Sequence, residues 1–120
     1  MLKIGYLSLI LLFVFLSQSI LAQKEFKSGS WSINQSIAAY SLDKNNGDRN
    51  MTLEIKFDKP FQKKPHILLS ISQLDADKDS NIRYEAEALS ISKDGFTLQV
   101  HTWSDSRIFS ISGYWLAISE

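Results

Sequence analysis

No cysteine occurs anywhere in the 120 residues. No disulfide can therefore hold the fold, although disulfides form readily in exported chains, and stability has to come from packing, with oligomerisation a further source open to it. A domain of this size buries only a modest core. Charge of one sign is missing too: 13 Lys and Arg stand against 13 Asp and Glu. Without clustered basic side chains there is no groove for nucleic acid and no footing on an anionic membrane surface. There are two histidines, His66 and His101, each inside a predicted strand, and no serine or carboxylate has diagnostic spacing to either. No nucleophile-elbow pattern occurs, so a hydrolytic triad has no support and the chain reads as a non-enzyme. Beyond residue 22 there is no helical periodicity, no internal repeat and no low-complexity segment.

What is present begins with one hydrophobic run. Lys3 precedes "IGYLSLILLFVFL", followed by Ser17, Gln18, Ser19 and a small residue at Ala22. A short positive start, an apolar centre and a small exit residue describe a secretory signal peptide over residues 1–22. The run is short for spanning a bilayer and no basic flank follows it closely, so membrane insertion is not expected; an uncleaved anchor is the alternative. With no cysteine near the cut, a lipoprotein signal is disfavoured. Residues 23–120 then form one domain, secreted to an extracellular or periplasmic space.

That domain reads as all-β. "SGSWSINQSI" holds a weak strand near Trp31 and Ile33, and "SLDKNNGDRN" is a loop rich in Asn, Asp and Gly. "MTLEIKF" alternates Leu53, Ile55 and Phe57 inward with Thr52, Glu54 and Lys56 outward. Pro60 and Pro65 bracket a basic turn, and "HILLSISQL" reads as a more deeply buried strand, apolar on both faces near its start. "RYEAEALSIS" sets Tyr84, Ala86 and Ala88 against Glu85, Glu87 and Leu89, and "KDG" is a hairpin turn. From Gly95, Phe96, Leu98, Val100 and Thr102 face one way while Thr97, Gln99, His101 and Trp103 face the other. A last strand runs towards Trp115. Six short strands at regular spacing imply a six-stranded antiparallel β-sandwich with Leu53, Ile55, Phe57, Leu69, Ile71, Phe96, Leu98 and Trp115 in its core.

Few clusters carry chemistry. Asp75, Asp77, Asp79 and Asn81 alternate as calcium ligands do, but Ser80 and Ala86 stand where an EF-hand wants Gly and Glu, and the flanks are strands. A solvated loop is the better reading, and no metal or cofactor is expected. Asn34 and Asn50 head short glycosylation sequons, which matter only in a eukaryotic host. Trp103, where a strand meets the polar loop Ser104–Ser106 with Arg107 close by, is either a binding rim or an aromatic closing the core.

From Pro65 onward, "KPHILLSISQLD", "NIRYEAEALSISKDGF" and "HTWSDSRIFSISGYWLAIS" resemble the H-type lectin domain, the family of snail agglutinins and of the discoidin C-terminal domain. "GSW" and "LEIKF" fit the same pattern more loosely. The resemblance implies a six-stranded antiparallel sandwich, a homotrimer, and binding of N-acetylgalactosamine or galactose near protomer boundaries. Carried over, the family's sugar-binding arginine falls on Arg83 and its stacking tryptophan on Trp103. Its loop glycine and aspartate fall on Gly47 and Asp48, across a small gap. Ser104 stands where the snail pattern has His, and Phe109 where it has Tyr, so one polar contact to the sugar is lost.

Such a site is chemically coherent. Sugar hydroxyls donate to a carboxylate such as Asp48 and accept from a guanidinium such as Arg83, both in charge-assisted bonds. The apolar C–H face of the sugar packs on Trp103. The axial O4 of a galacto sugar lets one carboxylate–arginine pair read O3 and O4 together. The alternative is a structural or adhesive sandwich that contacts protein and carries a degenerate sugar site.

Overall fold

The computed structural model describes residues 24–120; the signal-peptide expectation for 1–22 lies outside the described residues. Six strands follow one another: β1 Glu25–Asn34, β2 Arg49–Lys56, β3 His66–Ala76, β4 Tyr84–Leu89, β5 Gly95–Thr102 and β6 Ile108–Ser119. They form two three-stranded antiparallel sheets, β1-β6-β3 and β2-β5-β4, packed face to face. Each sheet has one central strand, and the central strands bury most. On β5, Phe96, Leu98, Val100 and Thr102 are buried as the alternation requires; on β6, Ile108, Ile111, Trp115 and Ala117 answer them. Leu53 and Ile55 of β2 and Leu69 of β3 pack on this core from edge strands and stay half-buried.

One end of the sandwich is closed by aromatic rings. Phe57 meets Phe61 edge-on at 4.9 Å, and Phe96 meets Trp115 at 5.8 Å with the planes 76° apart, the perpendicular geometry that ring quadrupoles favour. Gly29 on β1 lies under the Trp115 indole; a Cβ there would come within 2.6 Å of Nε1, so no other residue fits without moving the ring. The other end is closed by the connection between β1 and β2. Leu42 from that connection is fully buried, its carbonyl accepts from Ile108 N–H at 2.8 Å, and the Tyr40 hydroxyl donates to the Ile108 carbonyl at 2.6 Å.

Two expectations need correction. Ile71 is not core: it is 36% exposed, because the register of β3 against β6 shifts between Ile71 and Gln73 on an edge strand. Nor is β3 buried on both faces. Leu68 is 58% exposed on the outer face of its sheet, which no other layer of the described residues covers. The weak strand around Trp31 is in fact ten residues long, paired with β6 along its whole length.

Candidate functional site

The end of the sandwich opposite the ring cluster gathers the polar side chains. In the β2-β5-β4 sheet, Arg49, Thr102 and Tyr84 pair across the strands in one row. One residue further along each chain come Asp48, Trp103 and Arg83, in that order from β2 to β4. Strand pairing thus brings three residues from distant parts of the sequence to one sheet end. Neighbouring strands run about 4.8 Å apart, so the outer two stand roughly 10 Å apart with Trp103 between them.

Arg49 sets the loops that carry this row. Its side chain is buried, and its guanidinium donates to four carbonyls. Nε reaches Gly47 at 2.9 Å, Nη2 reaches Ser104 at 2.7 Å, and Nη1 reaches Ser106 at 2.7 Å as well as Lys44. Among the described residues no carboxylate pairs with it. A buried guanidinium is tolerated here because its fork of donors is satisfied by backbone on both sides. The 44–48 loop and the 104–106 loop are therefore tied together through one side chain. Gly47, at φ 78°, makes the turn that aims its carbonyl back at Arg49; Ser104 takes a similar left-handed backbone at 61°.

Ser106 holds the third side. Its buried hydroxyl accepts from Arg83 N–H at 2.9 Å and donates to the Asn81 carbonyl at 2.5 Å, while Thr102 Oγ1 donates to the Arg83 carbonyl. The backbone of Arg83 is thus fixed and its guanidinium is left at the surface, where Nη1 meets Asp105 Oδ1 at 2.8 Å. Trp103 is half-buried rather than core, and its ring stacks on His101 at 5.1 Å with 29° between planes. Asp48 is exposed, with Oδ1 3.6 Å from His101 Nε2. Phe109 stands apart from the row. It belongs to β6 in the other sheet, with the Arg107 guanidinium 5.5 Å from its ring centroid. Arg107 Nε in turn donates to the Asp43 carbonyl, and these two line an open depression of about 400 Å³ with Lys44 and Asn45.

Sequence reasoning missed Arg49, Asp105, Glu85 and the role of His101. Only the strand register could have found them, since it alone says which residues share an end. Burial, reinforced by Asp43 and Asp75, pushes the Tyr40 phenol well above its ordinary range, as expected of a hydroxyl spent on a carbonyl beneath this loop. Among the described residues no group of three or more His, Cys, Asp or Glu side chains is arranged to hold a metal ion.

Residues 52–118 match the H-type lectin domain, more than half of the chain. The chain belongs to the H-type lectin domain family. Among solved structures, discoidin II of Dictyostelium discoideum superposes with a TM-score of 0.71 at 23% identity, over 82% of this chain and 38% of that one. The tailspike of Pseudomonas phage phi297 shares the fold more loosely, with a TM-score of 0.56 at 13% identity, over 81% of this chain and 16% of that one. In sequence, the chain is 36% identical over 75 residues to "ATP synthase subunits region ORF 7" of Fuscovulum blasticum, a stretch covering 62% of this chain and 65% of that protein. The chain therefore spans just under two thirds of that relative and well under half of discoidin II.

Proposed function

We propose that this is a secreted, non-enzymatic carbohydrate-binding protein that recognises terminal N-acetylgalactosamine or galactose. Asp48, Trp103 and Arg83 are its sugar contacts, with Gly47 and Ser104 at the border; Phe109, on the other sheet, stays outside it. The observation that carries this reading is the shared row at one sheet end. A carboxylate, an indole and a guanidinium lie side by side on backbone held rigid by Arg49 and Ser106. Rigid placement matters because a shallow site has little contact area with which to offset the cost of ordering its own side chains.

One such site binds at roughly millimolar to high-micromolar strength, and clustered sites raise avidity without new contacts. We therefore include a homotrimer in the proposal. Its support is the outer face of the β1-β6-β3 sheet, where Phe26, Leu68 and Tyr114 are 62%, 58% and 60% exposed. Leu116 and Ile118 lie between them in register, and the remaining positions at the centre of the face are serines. A contiguous apolar face on a small domain marks an interaction site. Because its centre carries no charge, a neighbouring copy can cover it in a head-to-tail ring without burying an unpaired charge.

Titration calorimetry tests the sugar reading. Wild type should bind N-acetylgalactosamine, and Asp48→Ala should lose binding while keeping its melting temperature, since an exposed carboxylate contributes little to folding. Equal binding by both proteins, or no galactoside binding at millimolar concentration, refutes it. A second reading, an adhesive sandwich with a degenerate site, draws on the Arg83–Asp105 contact, which occupies the guanidinium that a sugar would need. A glycan array that stays blank while the protein still self-associates would favour it.

A further inference from the structure

His101 lies between two carboxylates. It faces outward near the end of β5, the central strand, paired across the sheet with Asn50 of β2 and Glu85 of β4. Nδ1 is 3.0 Å from Glu85 Oε1, Nε2 is 3.6 Å from Asp48 Oδ1, and the ring stacks on Trp103. Other charged groups on this side are Glu87 and Arg83, two residues either way along β4 from Glu85, and Asp105, which engages Arg83. Gln99 follows on β5 and bonds the Asn50 amide, so the β2 side adds no charge besides Asp48.

Both carboxylates can only accept. A neutral imidazole has a single N–H, and the hydrogen-bonding distance to Glu85 assigns it to Nδ1. Nε2 then turns a lone pair towards Asp48 Oδ1, and that contact becomes repulsive. Only the imidazolium, with a donor on each side, satisfies both neighbours.

Resting on the reading of Asp48 and Trp103 as sugar contacts, we infer that His101 is a positioning residue of the site. As imidazolium it draws the Asp48 carboxylate in from the loop and fixes the face of Trp103. Deprotonation releases Asp48 while the Glu85 bond persists. Galactoside affinity therefore falls when the ring loses its proton. Partly exposed ion pairs are worth about 0.2–1 kcal/mol, which makes the expected loss roughly one-and-a-half- to fivefold.

The test uses calorimetric titration with N-acetylgalactosamine at about pH 5.5 and about pH 8. It compares wild type, His101→Phe, which keeps a ring against Trp103, and His101→Gln. A parallel reading without sugar follows indole fluorescence against pH, with Trp103→Phe subtracted, since an imidazolium stacked on an indole quenches it. We expect wild-type affinity to fall with rising pH, the emission of Trp103 to rise with the same midpoint, and both changes to vanish in the two variants. Galactoside binding equally tight at both pH values in wild type, or an unchanged pH profile in His101→Phe, overturns the positioning role and leaves the sugar reading standing. A fluorescence titration as expected with no galactoside binding at either pH overturns the sugar reading, and this inference with it.

Discussion

Replacing Arg49 with Met removes four hydrogen bonds and keeps an apolar stem. The acceptor losses are unequal. The bond to the Ser106 carbonyl is buried, so that oxygen is left without water, whereas the Gly47, Lys44 and Ser104 carbonyls lie nearer the surface. A buried bond from a charged donor is worth about 1.5–3 kcal/mol, and each of the three others about 0.5 kcal/mol once water substitutes. Burying the apolar Met stem avoids desolvating a cation, which returns part of the loss. The balance is about 3 kcal/mol, a large share of the roughly 5–15 kcal/mol that holds a domain of this size. At about 4–8 °C per kcal/mol for a small domain, the melting temperature should drop by about 12–24 °C. Urea denaturation should show a lower midpoint at unchanged slope, since the folded and unfolded surfaces are nearly the same. Arg49→Lys should recover only about half, because one ammonium cannot serve acceptors on both loops. An Arg49→Met protein within about 0.5 kcal/mol of wild type would show that the loops hold their shape without it, and the argument for a rigid site would go with it.

Leu98→Ala, at the fully buried centre of β5, should cost about 2–5 kcal/mol in denaturant titration, whereas Ile71→Ser on the open stretch of β3 should cost under about 1 kcal/mol. Tyr40→Phe strands the Ile108 carbonyl and should cost about 0.5–1.5 kcal/mol. The folded phenol is raised above its ordinary value near 10, so it adds stability that is complete below that pH and lost as pH climbs past it; Tyr40→Phe should flatten this alkaline decline in a pH series of melting curves. Leu68→Lys puts a cation at the middle of the apolar sheet face and should turn an oligomer into monomer by sedimentation velocity, with the β-sheet circular dichroism unchanged; wild type sedimenting as monomer at micromolar concentration would remove the trimer from the proposal.

Strand periodicity carried most of the fold. Where a strand is central, as β5 is, alternation of side chains and alternation of burial coincide, and Phe96, Leu98 and Val100 were legible at once. On edge strands the same alternation persists but burial does not follow it, because one flank is open; Ile71 pays for that with a register shift no sequence signal marks. The loop between β1 and β2 hid more. Leu42 and Arg49 sit in or beside a run of Asn, Asp and Gly that reads as solvated, yet Leu42 is wholly buried and Arg49 nearly so. Their burial depends on the β5–β6 loop arriving opposite, a contact between segments more than fifty residues apart. Local composition contains nothing of it.

Periodicity separates inside from outside, but it does not say which outside is wet. The two sheets of this sandwich present opposite answers. The outer face of β2-β5-β4 carries Glu54, Lys56, Glu85 and Glu87, as a solvated face should, and the row of Asp48, Trp103 and Arg83 ends it. On β1-β6-β3 the outward positions alternate just as regularly, yet Phe26, Leu68, Tyr114, Leu116 and Ile118 occupy them where charges would cost nothing. On β3 the run Ile67, Leu68 and Leu69 by itself reads as apolar on both faces, and Leu68 belongs to this open one. For a chain without cysteine, whose two small sheets share one thin core, leaving such a face to water would cost both stability and solubility. The proposed trimer would cover it with further copies and, in the same arrangement, multiply the sites at the sheet ends.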